Sequence, residues 1–86
     1  MTHRENVKNA LMNALKGAHI DVLDPREDDC HLEAIVVAEQ FEDLSLVHQH
    51  RLAMNCLTDQ FEEGLHALAL KTYTPKQWEE RHARSN

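Results

Sequence analysis

The chain has 86 residues, of which 42% are apolar, and its 9 basic and 15 acidic side chains give a net charge of −6. This length supports one hydrophobic core, so we expect a single domain over residues 1–86, and the negative charge disfavours non-specific binding to nucleic-acid phosphates. We expect a soluble cytoplasmic protein, because no apolar run approaches the roughly 20 residues that cross a bilayer, the N-terminus lacks secretory-signal character and two cysteines make no disulfide framework.

The first half of the chain predicts a helix followed by two strands. Thr2 and Glu5 form a capping-box pattern, and Gly17 is placed to end the helix. Between them runs one apolar stripe at helical spacing, formed by Val7, Ala10, Leu11, Ala14 and Leu15. Residues 18–24 alternate in polarity and residues 31–41 are rich in β-branched side chains, so both segments predict strands. The charged loop between them predicts an antiparallel hairpin with a solvated, mobile turn.

The second half predicts helix, strand and helix. From about Ser45 to Glu63 the apolar spacing is helical, and Gly64 ends the helix. The side chains predicted to share its apolar face are Leu46, His50, Ala53, Leu57 and Phe61. A strand then begins at Leu65, and Thr74, Pro75 and Gln77 mark the start of a terminal helix that carries Trp78.

The element order is therefore α-β-β-α-β-α. The strand–helix–strand run fits a right-handed crossover between parallel strands, so the sheet combines one antiparallel and one parallel pair. We predict an α+β fold with a three-stranded mixed sheet and with helices mainly on one face.

Catalytic patterns are weak in this sequence, and we expect no enzyme. Two glycines cannot supply a glycine-rich phosphate loop. Asp43, Ser45 and His48 have the residue types of a triad, but their closeness in sequence does not make one. Cys56 falls in the middle of the predicted helix, where a structural thiol is the usual role.

The histidines suggest a partial metal site. His31 begins the second strand and His66 the third, and parallel neighbours have their N-terminal ends side by side. Two imidazoles, 35 positions apart in sequence, would then meet at one edge of the sheet, with Cys30 adjacent to His31. That is half of a metal site; the other interpretation is that His66 hydrogen-bonds a neighbouring backbone group.

Two segments carry a resemblance to a known family. Residues 66–81, HALALKTYTPKQWEER, resemble the C-terminal signature of BolA-like proteins, in which a histidine opens the last strand and a Thr-Pro turn leads into a Trp-bearing helix. Residues 31–52, HLEAIVVAEQFEDLSLVHQHRL, resemble the central block of the same family. The resemblance runs from about Val7 to Arg81, and one departure is Asp43, where the family often has glycine.

The resemblance implies a fold related to type II KH domains, with residues 1–86 forming one BolA-like domain. It also implies a function: BolA-like proteins pair with monothiol glutaredoxins of the Cys-Gly-Phe-Ser type and share a bridging [2Fe–2S] cluster, used in cluster trafficking or iron-status signalling. The glutaredoxin brings a cysteine and glutathione. No cluster is expected on the isolated chain.

The resemblance assigns His66 as one ligand and leaves two choices for the second. In one branch of the family the second ligand is a histidine just before the strand's first large apolar residue, which matches His31 before Leu32. In another branch it is a cysteine, and Cys30 is close enough to compete. Thiolate affinity for iron favours Cys30, whereas position in the family pattern favours His31.

The alternative function is that of a DNA-binding transcriptional regulator of the BolA type. The candidate contacts are Arg51, Lys71, Lys76, Arg81 and Arg84. The Gly-x-x-Gly clamp of true KH modules is absent, and the net charge of −6 opposes this function.

Overall fold

The computed structural model describes residues 2–84, with side chains up to Arg81. Helix α1 spans His3–Ala14, and the Thr2 hydroxyl accepts a hydrogen bond from the Glu5 amide at 3.1 Å, as the cap pattern predicts. The predicted stripe packs inward, with Val7 and Leu11 fully buried. None of the described helices is long and apolar enough to cross a membrane.

The predicted strand arrangement is confirmed. Strands β1 (His19–Leu23), β2 (His31–Val37) and β3 (Ala67–Tyr73) form one sheet in the order β1-β2-β3. The β1–β2 pair is antiparallel and the β2–β3 pair parallel, with His31 opposite Ala67. Leu32, Ala34 and Val36 of the central strand face the core, because alternate side chains of a strand point to opposite faces.

The prediction of one helix from about Ser45 to Glu63 is wrong. The segment forms α2 (Leu46–Asn55) and α3 (Thr58–Glu62). At the break, the amides of Cys56 and Leu57 bond to carbonyls three residues back, which tightens the last turn of α2. Leu57, which lies at this break, is fully buried.

The predicted apolar face of this segment is also wrong at its start. Leu46 is 62% exposed, whereas Gln49 is buried at 3%. Burial of an amide requires partners, and Gln49 has them. Its Nε2 donates to the Leu44 carbonyl at 3.0 Å, and its Oε1 accepts from the Thr72 hydroxyl at 2.9 Å. This hydrogen-bonded pair ties α2 to β3.

The second strand ends at Val37, four residues earlier than predicted. A short 3-10 turn, Glu39–Phe41, follows it and places the Phe41 ring in the core. Phe41 remains an apolar anchor, but it is on a turn rather than on the strand. The sequence pattern does not show where the strand ends, because an apolar residue in a buried turn looks the same as one at the end of a strand.

Helix α4 (Pro75–Arg84) is the exception in an arrangement predicted to place the helices mainly on one face. The predicted capping box is present: Thr74 and Gln77 exchange side chain-to-amide hydrogen bonds at 2.9 and 3.1 Å. The Trp78 ring then lies 6.1 Å from His19 and 5.2 Å from Tyr73, measured between centroids. These two residues are on the sheet face opposite the core, so α4 covers one end of that outer face.

The turn after Phe41 keeps a backbone suited to glycine even though the residue is Asp43. Its φ is +67°, in the left-handed region that favours glycine. The side chain is exposed. Left-handed backbone costs a non-glycine residue about 1–3 kcal/mol.

We therefore expect Asp43→Gly to raise the free energy of unfolding by about 1 kcal/mol, since strain relief exceeds glycine's entropic cost of roughly 0.5–1 kcal/mol. The matched control is Glu42→Gly at a φ of −60°, where only the entropic loss applies. Urea unfolding measures both variants. Equal destabilisation by the two substitutions would show that Asp43 is not strained.

Candidate metal-ligand site at the sheet edge

The two predicted histidines meet at one end of the β2–β3 pair. Their ring centroids are 5.6 Å apart, and the rings are inclined at 69°, an edge-to-face contact. His66 is exposed and His31 is half-buried. The structure thus confirms that the topology brings these two imidazoles together.

His66 lies just before β3 rather than in it. Its amide and that of Ala67 both donate to the Cys30 carbonyl, at 3.0 and 3.1 Å. This shared acceptor interrupts the regular ladder, so His66 does not follow the strand's alternation of faces. The interruption allows its ring to meet that of His31, which regular alternation would place on the opposite face.

The alternative interpretation, a His66 ring that hydrogen-bonds the backbone, does not hold for the part of the chain that the structure describes. The bond to the Cys30 carbonyl comes from the main-chain amide, not from the imidazole. The ring's contact is the edge-to-face one with His31. The His66 side chain is exposed, so an external group can reach it.

The acidic loop that precedes β2 is exposed at residues 25–28, as predicted for a solvated loop, and its carboxylates make several backbone hydrogen bonds. Asp24 accepts hydrogen bonds from the amides of Asp28 and Asp29 at 3.2 and 3.0 Å. Asp29 in turn accepts from the amides of His3 and Arg4, at 2.7 and 3.0 Å. The loop is thereby joined to the first turn of α1, where a carboxylate also suits the helix dipole.

Asp28 connects this loop to the histidine pair. One of its oxygens accepts from the amides of Cys30 and His31 at 2.9 and 3.0 Å, and the other is 2.8 Å from Nδ1 of His31. The hydrogen bonds from these two amides hold the pKa of Asp28 well below its usual range, and the Cys30 amide has the larger effect. Sequence reasoning missed Asp28, although an aspartate two or three residues before a strand is a known turn signal.

Cys30 contributes its backbone to the site. Its amide is held by Asp28 and its carbonyl by the amides of His66 and Ala67. The thiol is free and the residue half-buried. Within residues 2–84, no group of three or more histidine, cysteine or acidic side chains is arranged to hold a metal ion. The described residues at this edge therefore bring together two imidazoles, which are candidate ligands.

Of the residues predicted to contact nucleic acid, two line the same groove. Lys71 and Arg81 line one shallow groove together with Leu46 and His50. Arg81 also lies over the Tyr73 ring, 5.6 Å from its centroid. Arg51 on α2 and Lys76 on α4 are exposed but do not line this groove, and the side chain of Arg84 lies outside the described part of the chain.

Comparison with known proteins identifies the family. The model of the family described as "BolA-like protein" matches residues 8–77. The chain belongs to the BolA-like family. The resemblance inferred from the C-terminal signature and the central block is thereby confirmed.

Individual BolA-like proteins align over most of the chain. Protein BOLA2 of Arabidopsis thaliana is 37% identical, with 91% of this chain and 85% of the relative covered. The DNA-binding transcriptional regulator BolA of Escherichia coli is 29% identical, with coverages of 92% and 82%. The structure of BolA1 from Arabidopsis thaliana superposes with a TM-score of 0.81 at 26% identity, covering 90% of this chain and 96% of that one.

Proposed function

We propose that this protein is a non-enzymatic cytoplasmic partner of a monothiol glutaredoxin of the Cys-Gly-Phe-Ser type. The pair would share a bridging [2Fe–2S] cluster for cluster trafficking or iron-status signalling. The observation that carries the proposal is the contact between the imidazoles of His31 and His66, at 5.6 Å, on an accessible edge of the sheet.

The spacing of the two rings fits ligation of one metal ion. With metal–nitrogen bonds of roughly 2.0–2.1 Å and a tetrahedral angle, two imidazoles on one metal have centroids about 5 Å apart. The observed 5.6 Å is close to this separation. Because His66 is exposed and precedes the regular strand, its ring can turn towards a shared metal without disturbing the core.

The incomplete donor set supports a shared cluster. Two imidazoles leave an iron centre open, and the described residues gather no further ligand at this edge. In the proposed pair the glutaredoxin cysteine and glutathione supply the missing thiolates. Replacing two thiolates by neutral imidazoles on one iron raises the cluster's potential, as in Rieske centres.

The sheet face beside the histidines leaves room for such a partner. Helix α4 covers the other end of this outer face through Trp78. Towards the histidine end, Glu33, Ala67 and Ala69 are exposed. Small side chains on an open sheet face allow another protein to approach closely, which a shared metal centre requires.

The test is co-expression with a monothiol glutaredoxin, followed by visible absorption and size analysis of the purified mixture. We expect a coloured heterodimer when glutathione, iron and sulfide are present, and a colourless chain when the protein is purified alone. A stable cluster on the isolated chain, or the absence of any complex with the glutaredoxin, would contradict the proposal.

A second candidate function is DNA binding. The Escherichia coli relative is named a DNA-binding transcriptional regulator, and Lys71 and Arg81 line one groove here. Both residues are exposed, so they are accessible to phosphates. The net charge of −6 limits such binding to a local surface.

If this groove binds DNA through Lys71 and Arg81, the logarithm of affinity should fall with the logarithm of salt concentration with a slope of about −2. Lys71→Gln should reduce the slope by about 1, whereas Lys8→Gln, an exposed lysine on α1, should leave it unchanged. Fluorescence anisotropy with duplex DNA measures this. Equal effects of the two variants would argue against a specific groove.

A further inference from the structure

The Asp28 carboxylate fixes which nitrogen of His31 carries the proton. One of its oxygens accepts the amides of Cys30 and His31, and a carboxylate can only accept hydrogen bonds. The 2.8 Å contact therefore requires a proton on Nδ1 of His31. In the neutral ring, the lone pair is then on Nε2.

We propose that Asp28 is a positioning residue that holds neutral His31 as the Nδ1–H tautomer and presents Nε2 as its ligating atom. This inference rests on the proposed function, since it concerns how His31 would ligate iron. Histidine ligands of metals commonly donate their other N–H to a carboxylate, which fixes the orientation and basicity of the ring. Here that second partner is already in place in the protein alone.

The hydrogen bonds of Asp28 hold its carboxylate more firmly than an isolated surface ion pair would, so it can orient the His31 ring. One oxygen is fixed by two backbone amides of the segment that carries the ring, so the second oxygen has little freedom relative to Nδ1. Asp28 is itself anchored, because its amide donates to Asp24. The carboxylate and the imidazole thus belong to one hydrogen-bonded turn.

The protein contains a matched internal control. The Asp21 carboxylate lies 2.9 Å from Nε2 of His19, so the same argument predicts the opposite, Nε2–H tautomer for that ring. His19 contacts Trp78 at the covered end of the outer face. One molecule therefore provides two carboxylate–histidine pairs, with opposite predicted tautomers, of which only one adjoins His66.

Long-range ¹H–¹⁵N NMR of the labelled, iron-free chain tests the tautomers. At about pH 8, above the ordinary imidazole pKa, we expect His31 as Nδ1–H and His19 as Nε2–H. Asp28→Asn should keep the amide hydrogen bonds through its oxygen, but its NH₂ group cannot accept from Nδ1. His31 should then lose its Nδ1–H preference, and Asp21→Asn should affect only His19.

An unchanged His31 tautomer in Asp28→Asn, or an Nε2–H ring in the unaltered chain, would overturn the inference. Amide spectra of the variant verify that it is folded. Because these spectra need no iron and no partner, they decide the tautomer even if the proposed glutaredoxin complex fails to form.

A second measurement tests the consequence for ligation. In the reconstituted glutaredoxin complex, Asp28→Asn should weaken cluster retention about 10- to 100-fold, the usual effect of losing such a carboxylate partner. Asp21→Asn should retain the cluster normally. Equal retention in the two variants would refute the role of Asp28 in presenting the ligand, whereas failure of the unaltered protein to form a complex would refute the proposed function instead.

Discussion

His66→Ala should abolish the coloured complex with a monothiol glutaredoxin while leaving the isolated chain folded. The ring is exposed and contacts His31 edge-on, so the free energy of unfolding should change by no more than about 0.5 kcal/mol. The hydrogen bond to Cys30 comes from the backbone and survives the substitution. Loss of the ring, by contrast, removes one of the two proposed cluster ligands.

Visible absorption of the reconstituted mixture measures the first effect and urea unfolding the second. His48→Ala is the control, because His48 is also exposed but lies on α2 beside Ser45. A cluster with unchanged spectrum in His66→Ala would refute the ligand assignment. A loss of stability of more than about 1 kcal/mol would indicate a structural role for the ring.

The sequence alone predicts the strand order and the proximity of the two histidines. Alternation around Ile20 and Val22 and the β-branched run after Leu32 define a hairpin, and a helical segment before His66 requires a crossover to a parallel strand. Parallel pairing then places His31 near His66 whatever the details of the connecting helix. This proximity follows from topology, whereas the contact between the two rings also depends on the interrupted ladder just before β3.

The details that hold the site were not predictable from periodicity. The acidic loop has the composition of a solvated turn, yet Asp24, Asp28 and Asp29 use their carboxylates to accept backbone amides. Composition does not reveal which amides a carboxylate meets, since that depends on a chain reversal. The outcome matters for the site, because this network sets the position of His31.

The broken helix and the position of α4 have a tertiary origin. The apolar spacing of residues 45–63 is compatible with one helix, and Leu57 is buried at the break, so the spacing does not reveal where α2 ends. Trp78 could have packed on either face of the sheet, and the aromatic neighbours His19 and Tyr73 place it on the outer one. Local pattern cannot decide between such packings.

The choice of second ligand between Cys30 and His31 is the other prediction with a large expected effect. The observed register places Leu32 in the core, 2% exposed, and the ring of His31 against His66. The backbone of Cys30 is held on both sides, by Asp28 at its amide and by His66 and Ala67 at its carbonyl. Turning the thiol towards His66 by a twist of the loop would break these hydrogen bonds.

We therefore expect His31→Ala to lose the cluster or to change its spectrum strongly, and Cys30→Ala to behave as the unaltered protein. The greater affinity of thiolate for iron favours Cys30 in isolation, but an orientation fixed by several hydrogen bonds opposes that preference. Visible absorption of the glutaredoxin complexes and paramagnetic resonance of the reduced cluster distinguish imidazole from thiolate ligation. If Cys30→Ala alters these spectra and His31→Ala does not, the second ligand is Cys30 and the acidic loop must rearrange when the partner binds.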